Sequence, residues 1–322
     1  MGPPGSISGS DGPLPGRAMV TTRLAVGEFL ANQQTIAREG TCRGVGLHSG
    51  VPGSVLLSPA PRDHGVVFTA QGERGAVAIP AGIDAVESTR NATCLVRDGA
   101  RVGTVEHLLA ALAAYGIDNV RVQVDGPEVP VMDGSSRPFG EMLQRAGKRT
   151  LSAPRPVIEV LQSVEVIDAD RFIRIEPAST YAIDYAIDFD HPAIGRQRIR
   201  FDSLTAEVFA EELAPARTFG FLEEVQALRE AGLAQGGSLE NTVVLGAEGV
   251  LNPEGLRFPD EFVRHKVVDL VGDLSLLGGW LMGRVTVRRG GHGLHRALAE
   301  ALRDDPNAWR RYAERSPLTD RH

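Results

Sequence analysis

Cysteine is scarce in this chain: Cys42 and Cys94 are the only two among 322 residues. A disulfide framework is therefore not what stabilises it, and no Cys-x-x-Cys pair offers a thiolate metal site or a redox couple. That usage fits a reducing, cytoplasmic setting. Long apolar runs are missing too, and none approaches the ~20 residues of a membrane span. No apolar stretch follows positive charge near the start, so no signal peptide is visible. Stable membrane insertion is not expected, and lipid must be met through a groove or a surface patch. Excess positive charge is also lacking. The formal net charge of −7 argues against a nucleic-acid partner, while leaving room for a local basic pocket around a phosphorylated small molecule. Nor is there a His-Glu-x-x-His motif, which sets the chain apart from the standard zincin pattern.

What is there is ordinary soluble composition, 42% hydrophobic and 23% charged. A chain of 322 residues exceeds the usual single core, so two domains are expected. Residues 1–31 read as a poorly ordered extension, rich in Gly, Pro and Ser up to about 19, with a short helix over 20–31. A first α+β domain is expected over 32–151, a Pro-containing linker over 152–156, a second α+β domain over 157–303 and a tail over 304–322. In the first domain, strands are expected at 54–57, 65–69, 92–96 and 119–124. A helix runs from Thr104, read as its N-cap, to Tyr115, and a second spans 138–146. In the second, strands are expected at 157–166, 172–177, 181–188 and 283–288, with a largely helical stretch over 205–234 interrupted by Pro215 and Gly220. Both halves contain a helix that opens with a histidine, stops at glycine and feeds a strand. HLLAALAAYG-IDNVRVQVDG compares with HKVVDLVGDLSLLGG-WLMGRVTVRRGG, a weak internal similarity that suggests one α+β unit used twice.

The residues that carry chemistry cluster in those helices. His265 and Asp269 lie four apart, so on a helix both reach the same point, and Asp273 continues that face. An imidazole and a carboxylate so placed suit two legs of a zinc site, which in catalytic form takes three protein ligands and keeps a position for water. Thr104-Val-Glu-His-Leu108 supplies a third ligand, His107, and a base, Glu106. A lone helical histidine is more often structural, and Glu106 equally suits a first-turn acid favoured by the helix dipole. Gly290-Gly291-His292-Gly293 exposes an imidazole that can serve as a general acid with Asp273 as its partner, or simply form a surface turn. Lys266 and Arg289 suit phosphate binding or a solvated surface. Thr218 suits a hydroxyl donor near the reacting centre or a local cap.

These residues, with their spaced surroundings, resemble the UDP-3-O-acyl-N-acetylglucosamine deacetylases, the zinc amidases of lipid A biosynthesis. The resemblance is carried by Gly44-Val-Gly-Leu-His48-Ser-Gly, Thr104-Val-Glu-His-Leu108, Gly116-Ile-Asp-Asn119, Pro127-Glu128 and Met132-Asp-Gly-Ser135. It continues through Asp190-His-Pro-Ala-Ile194, Ala216-Arg-Thr-Phe-Gly-Phe221, Gly236-Gly-Ser238, Val250-Leu-Asn252 and Gly255-Leu-Arg-Phe258. The longest run is Asp260-Glu-Phe-Val-Arg-His-Lys266, followed by Asp269, Gly272-Asp273 and Gly291-His292.

The resemblance implies two similar two-layer α/β sandwiches packed face to face, with the active site between them. It implies Zn2+ held by His107, His265 and Asp269, with Glu106 as general base, His292 as general acid supported by Asp273, and Thr218 on the oxyanion. Phe189, Phe219, Lys266, Arg289 and Gly291 are implied contacts of the nucleotide sugar, its phosphates or its acyl chain, and an insertion over about 219–238 is implied to take that chain. Two positions depart from the pattern: Ala92 replaces a cysteine that some members carry near the metal, and Arg289 replaces a common lysine. The expected partner is the nucleotide-sugar lipid alone, bound by a monomer. A catalytically silent nucleotide-lipid-binding module and an amidase acting on another acylated amino sugar are the competing readings, and a binder has no need of Glu106.

Overall fold

Val120, Val122 and Val124 alternate with Arg121, Gln123 and Asp125, and this period of two buries the valines while the polar residues face water. Their strand, β9 (Val120–Asp125), is the centre of a five-stranded sheet in the computed structural model, which describes residues 32–312. The sheet also contains β2 (Gly40–Val45), β3 (Pro52–Pro59), β4 (Val66–Gly72) and β5 (Gly75–Pro80), in the order β2-β3-β9-β4-β5. The β4–β9 pair is parallel and its other pairs are antiparallel. β1 (Asn32–Ile36) pairs with β10 (Lys148–Pro154), so residues 152–154, expected in a linker, are strand. β6 (Val86–Ser88), β7 (Cys94–Arg97) and β8 (Ala100–Val102) form a small separate sheet. Two helices complete this half, α1 (Glu106–Ala114) and α2 (Arg137–Ala146). The extension over 1–31, its expected helix and the last ten residues lie outside the described residues.

The second half repeats the plan. β12 (Val164–Asp168), β13 (Arg171–Glu176), β14 (Tyr181–Phe189), β15 (Gly195–Phe201) and β19 (Trp280–Arg288) pair as β12-β13-β19-β14-β15. Here too the centre pair, β14–β19, is parallel and the others are antiparallel. A helix precedes the central strand and another follows it, as in the first half. The weak sequence similarity thus corresponds to one topology used twice, and the fold is α+β.

Several local expectations change. The stretch 157–166 is two strands, β11 (Val157–Val160) and β12, because the Leu161 and Gln162 N–H groups turn to donate to the Ala308 carbonyl. β20 (Trp309–Tyr312), within the expected tail, pairs with β11. The stretch 205–234 is not continuously helical. Short turns at Ala206–Val208 and Phe209–Leu213 end before Pro215, and Phe-Gly-Phe then forms β16 (Phe219–Phe221), parallel to β17 (Val243–Gly246), which pairs in turn with β18 (Gly249–Val250). Only α3 (Leu222–Glu230) is a regular helix there.

The remaining helices, α4 (Glu261–Ser275) and α5 (His292–Asp304), pack on the second sheet. α4 also lies against α1, and Gly272 sits against the first turn of that helix. A β-carbon there would sit 2.1 Å from the Glu106 carbonyl oxygen, so only glycine permits this contact. Leu108, Leu109 and Leu112 bury the apolar face of α1 as expected, and Gly116 ends that region with a φ of 69°. Thr104 does not cap α1. Its φ is 54°, and its hydroxyl donates to Glu128 Oε2 at 2.6 Å, because the Glu128 carboxylate gathers donors from two segments, the His48–Ser49 loop and Thr104. Among the described residues no helix is long and apolar enough to cross a membrane.

Candidate metal centre and its acid–base groups

α4 places His265 and Asp269 one turn apart, and the contact at Gly272 brings the first turn of α1, with His107, onto the same point. Asp269 Oδ1 lies 3.4 Å from His265 Nε2 and 3.7 Å from His107 Nε2. All three residues are buried. The Ala216 carbonyl lies 3.1 Å from His265 Nδ1, and since a carbonyl only accepts, Nδ1 bears the hydrogen and Nε2 keeps its lone pair. Burial pushes the His265 imidazole down to about 3, so it is neutral near pH 7. Burial opposes charge on Asp269 as well, but the charges of Lys266 and His292 outweigh it and hold the carboxyl well below its usual range. Its Oδ2 accepts from Lys266 Nζ at 3.0 Å, whereas its buried Oδ1 has no hydrogen-bond partner.

An orphaned carboxylate oxygen facing two imidazole nitrogens is costly unless a cation sits among them. Tetrahedral coordination at zinc–nitrogen distances separates ligand atoms by about 3.3 Å, close to the observed spacings. The residues present therefore fit a divalent metal.

A second buried group, Asp273, His292 and His295, also has metal-ligand composition. Its donor capacity is already used. Asp273 Oδ2 accepts from His292 Nδ1 at 2.7 Å and from His295 Nδ1 at 2.8 Å, and Oδ1 accepts from the Thr93 hydroxyl at 2.6 Å. These bonds and the His292 charge overcome the effect of burial and bring the Asp273 carboxyl down to about 2. Burial works against a charged His292, but Asp273 and Asp269 outweigh it and raise the imidazole to about 10. Glu106 Oε2 accepts from the Thr93 N–H at 3.1 Å, and its Oε1 faces His292 Nε2 at 3.9 Å. Burial raises the Glu106 carboxyl above its ordinary range. A carboxyl displaced upward and an imidazole displaced upward thus face each other beside His107, His265 and Asp269, an arrangement suited to taking one proton and giving another.

The other expected residues fall into two groups. Lys266 contacts Asp269 and lies 5.5 Å from the centre of the Phe219 ring, which stacks edge-on to Phe189 and stands 6.4 Å from the His265 ring. Thr218 follows two residues after the carbonyl that binds His265, its own N–H donating to the Gly134 carbonyl. Gly291 adopts an extended φ of −173° at the start of α5, open to any residue on conformational grounds, and nothing lies within 4 Å of where its β-carbon would be. Arg289, by contrast, pairs with Asp170 at 2.5 Å on the surface. His48 belongs to a loop clasped onto the insertion: its carbonyl accepts from the Gln235 N–H, and its Nδ1 from the Ala234 N–H.

Three contributors have no role in the sequence reading. Thr93 binds both Glu106 and Asp273, His295 shares Asp273, and the Tyr185 hydroxyl lies 3.0 Å from His295 Nε2. The spacing of His292 and His295, one turn apart on a helix, was the available signal for the second; nothing local marks the other two. Arg217 is buried in a bidentate pair with Glu261, which also accepts the Arg217 backbone N–H, and this fixes the segment between Ala216 and Thr218.

Comparison with known proteins gives the family. The UDP-3-O-acyl N-acetylglycosamine deacetylase family profile matches residues 33–304. The UDP-3-O-acyl-N-acetylglucosamine deacetylase of Myxococcus xanthus is 48% identical over 278 residues, 86% of this chain and 88% of the relative. The protein of that name from Anaeromyxobacter sp. is 47% identical over 279 residues, 87% of this chain and 91% of its own. That from Phenylobacterium zucineum is 47% identical over 282 residues, covering 86% and 95%. The profile spans every residue of the buried centre, and the chain belongs to the UDP-3-O-acyl N-acetylglycosamine deacetylase family.

Proposed function

We propose that this chain hydrolyses the acetamide of UDP-3-O-acyl-N-acetylglucosamine, releasing acetate and the free amine, in lipid A biosynthesis. The observation that carries the reading is Asp269 Oδ1, buried, without a hydrogen bond and facing two histidine nitrogens. His107, His265 and Asp269 are assigned to hold Zn2+. When bound, the ion supplies a Lewis acid that polarises the acetamide carbonyl and acidifies water. Glu106, held by the Thr93 N–H, takes the proton of the attacking water. His292 enters charged, oriented by Asp273, and gives its Nε2 proton to the departing amine. Thr218 is assigned to donate to the oxyanion.

Lys266 is assigned to the anionic part of the nucleotide sugar, Gly291 to close approach of substrate, and Phe189 and Phe219 to an apolar wall. Arg289 is assigned to a phosphate, for which it must leave Asp170. The insertion over 219–238 is assigned to the acyl chain, and Leu222, exposed at its start, supports an apolar lining. A cytoplasmic monomer with no membrane insertion completes the reading.

The test joins metal analysis of purified protein to an acetate-release assay on the nucleotide substrate. One equivalent of zinc is expected in the wild type, and acetate release should fall about 10²–10⁴-fold in Glu106→Gln with the metal retained. Wild-type turnover in that variant rules out the assignment of Glu106, and binding without acetate release in the metal-loaded wild type supports the silent module instead.

A further inference from the structure

Two imidazoles share one oxygen of Asp273. His292 Nδ1 and His295 Nδ1 approach Oδ2 at 2.7 and 2.8 Å. A carboxylate only accepts, so both Nδ1 atoms bear hydrogens. The rings then differ only at their far nitrogens. His292 Nε2 faces two carboxylate oxygens, Glu106 Oε1 and Asp269 Oδ2, each at 3.9 Å. His295 Nε2 faces the Tyr185 hydroxyl at 3.0 Å. Tyr185 and His295 are both fully buried, and among the described residues the Tyr185 hydroxyl has no other hydrogen-bond partner. A buried phenol must place its proton somewhere. The one acceptor in reach is His295 Nε2, which can accept only if it carries no hydrogen itself.

We propose that Tyr185 and His295 are positioning residues for the deacetylation. Tyr185 donates to His295 Nε2 and fixes that ring as the neutral Nδ1–H tautomer, so that His295 holds Asp273 in place without competing for the proton that His292 delivers. Tyr185 reaches this role from β14, on the sheet, and His295 from α5, one turn beyond His292. The pair thereby ties the acid's carboxylate partner to the rigid centre of the second half. This rests on reading His292 as the general acid.

The experiment uses the full-length, zinc-loaded protein. With 15N-labelled histidine, NMR at neutral pH is expected to show His295 with a bare Nε2 and a protonated Nδ1. Tyr185→Phe, which keeps the ring and removes only the donor, is expected to lower kcat about tenfold with KM and bound zinc unchanged. His295→Phe should lose roughly 10–100-fold in kcat, the range for removal of an orienting partner. His295→Asn, whose amide can still donate to Asp273, should recover most of it. The inference is overturned if wild-type His295 carries its hydrogen on Nε2, if Tyr185→Phe and His295→Phe turn over like wild type, or if their losses track lost zinc or lost folded protein. Failure of the underlying assignment registers separately, as near-normal turnover in His292→Ala with the His295 tautomer unaltered.

Discussion

At the residue scale, the site separates groups of similar chemistry by their surroundings. Asp269 and Asp273 both lie on α4 and are both held ionised, yet one presents a bare oxygen to two imidazoles while the other is saturated by Thr93, His292 and His295. Glu106 differs from both: burial acts on all three, but at Glu106 the neighbouring charges do not outweigh it, so its proton affinity rises and it is the carboxylate of the three best matched to accept a proton. His265 is pushed down to about 3 and His292 up to about 10, so one histidine is neutral and the other charged, as the proposed roles of ligand and acid require. The sign of the pH dependence follows. On the proposed assignments turnover needs Glu106 without its proton and His292 with one, so kcat/KM should fall on the acid side as Glu106 gains a proton and on the alkaline side as His292 loses one. A pH–rate series should show this bell in the wild type. Glu106→Gln should lose the acid limb and His292→Ala the alkaline limb, and both limbs surviving in both variants removes these assignments.

At the element scale, the decisive feature is the contact between α1 and α4. Periodicity makes each a helix, but Gly272 sets how closely they approach, and that distance brings His107 to Asp269. Gly272→Ala places a methyl group against the Glu106 carbonyl, which is backbone and cannot rotate away. Overpacking of this kind costs about 1–3 kcal/mol. The helices must separate, and Glu106 and His107 move with α1. The variant is expected to show a lower melting temperature and weaker zinc binding, measured by competition with a chelator. Gly249→Ala, with nothing within 4 Å of the new carbon, should match the wild type in both. Unchanged zinc affinity in Gly272→Ala means that helix spacing does not set the site.

At the scale of the whole molecule, one topology appears twice, and the helix before the central strand of each copy brings side chains of metal-ligand type to a shared point. His107 comes from the first half, and His265 and Asp269 from the second. A metal bound there links the halves and stabilises the folded chain by mass action, by about 2.7 kcal/mol at a hundredfold excess over Kd. Chelation should therefore lower the melting temperature of the wild type by several degrees in calorimetry. His107→Ala should melt low from the start and respond little to chelator. A wild-type melting temperature indifferent to chelation places the metal elsewhere or leaves it without structural weight.

The sequence by itself determined what depends on neighbours along the chain. Alternating valines made β9, the four-residue spacing paired His265 with Asp269, and the distributed motifs carried the family. It misread Thr104 as a cap because the competing acceptor, Glu128, lies in another segment. It read 205–234 as mostly helical because the partner strand of Phe219–Phe221 comes later in the chain. Only the tertiary structure decided the contacts between residues distant in sequence, such as Thr93 with Asp273, 180 residues apart, and Tyr185 with His295, 110 apart. Those hydrogen bonds depend on how two helices and a sheet pack. Burial then converts their position into proton affinity, because a low-dielectric interior penalises a lone charge and strengthens the interactions between neighbouring ones.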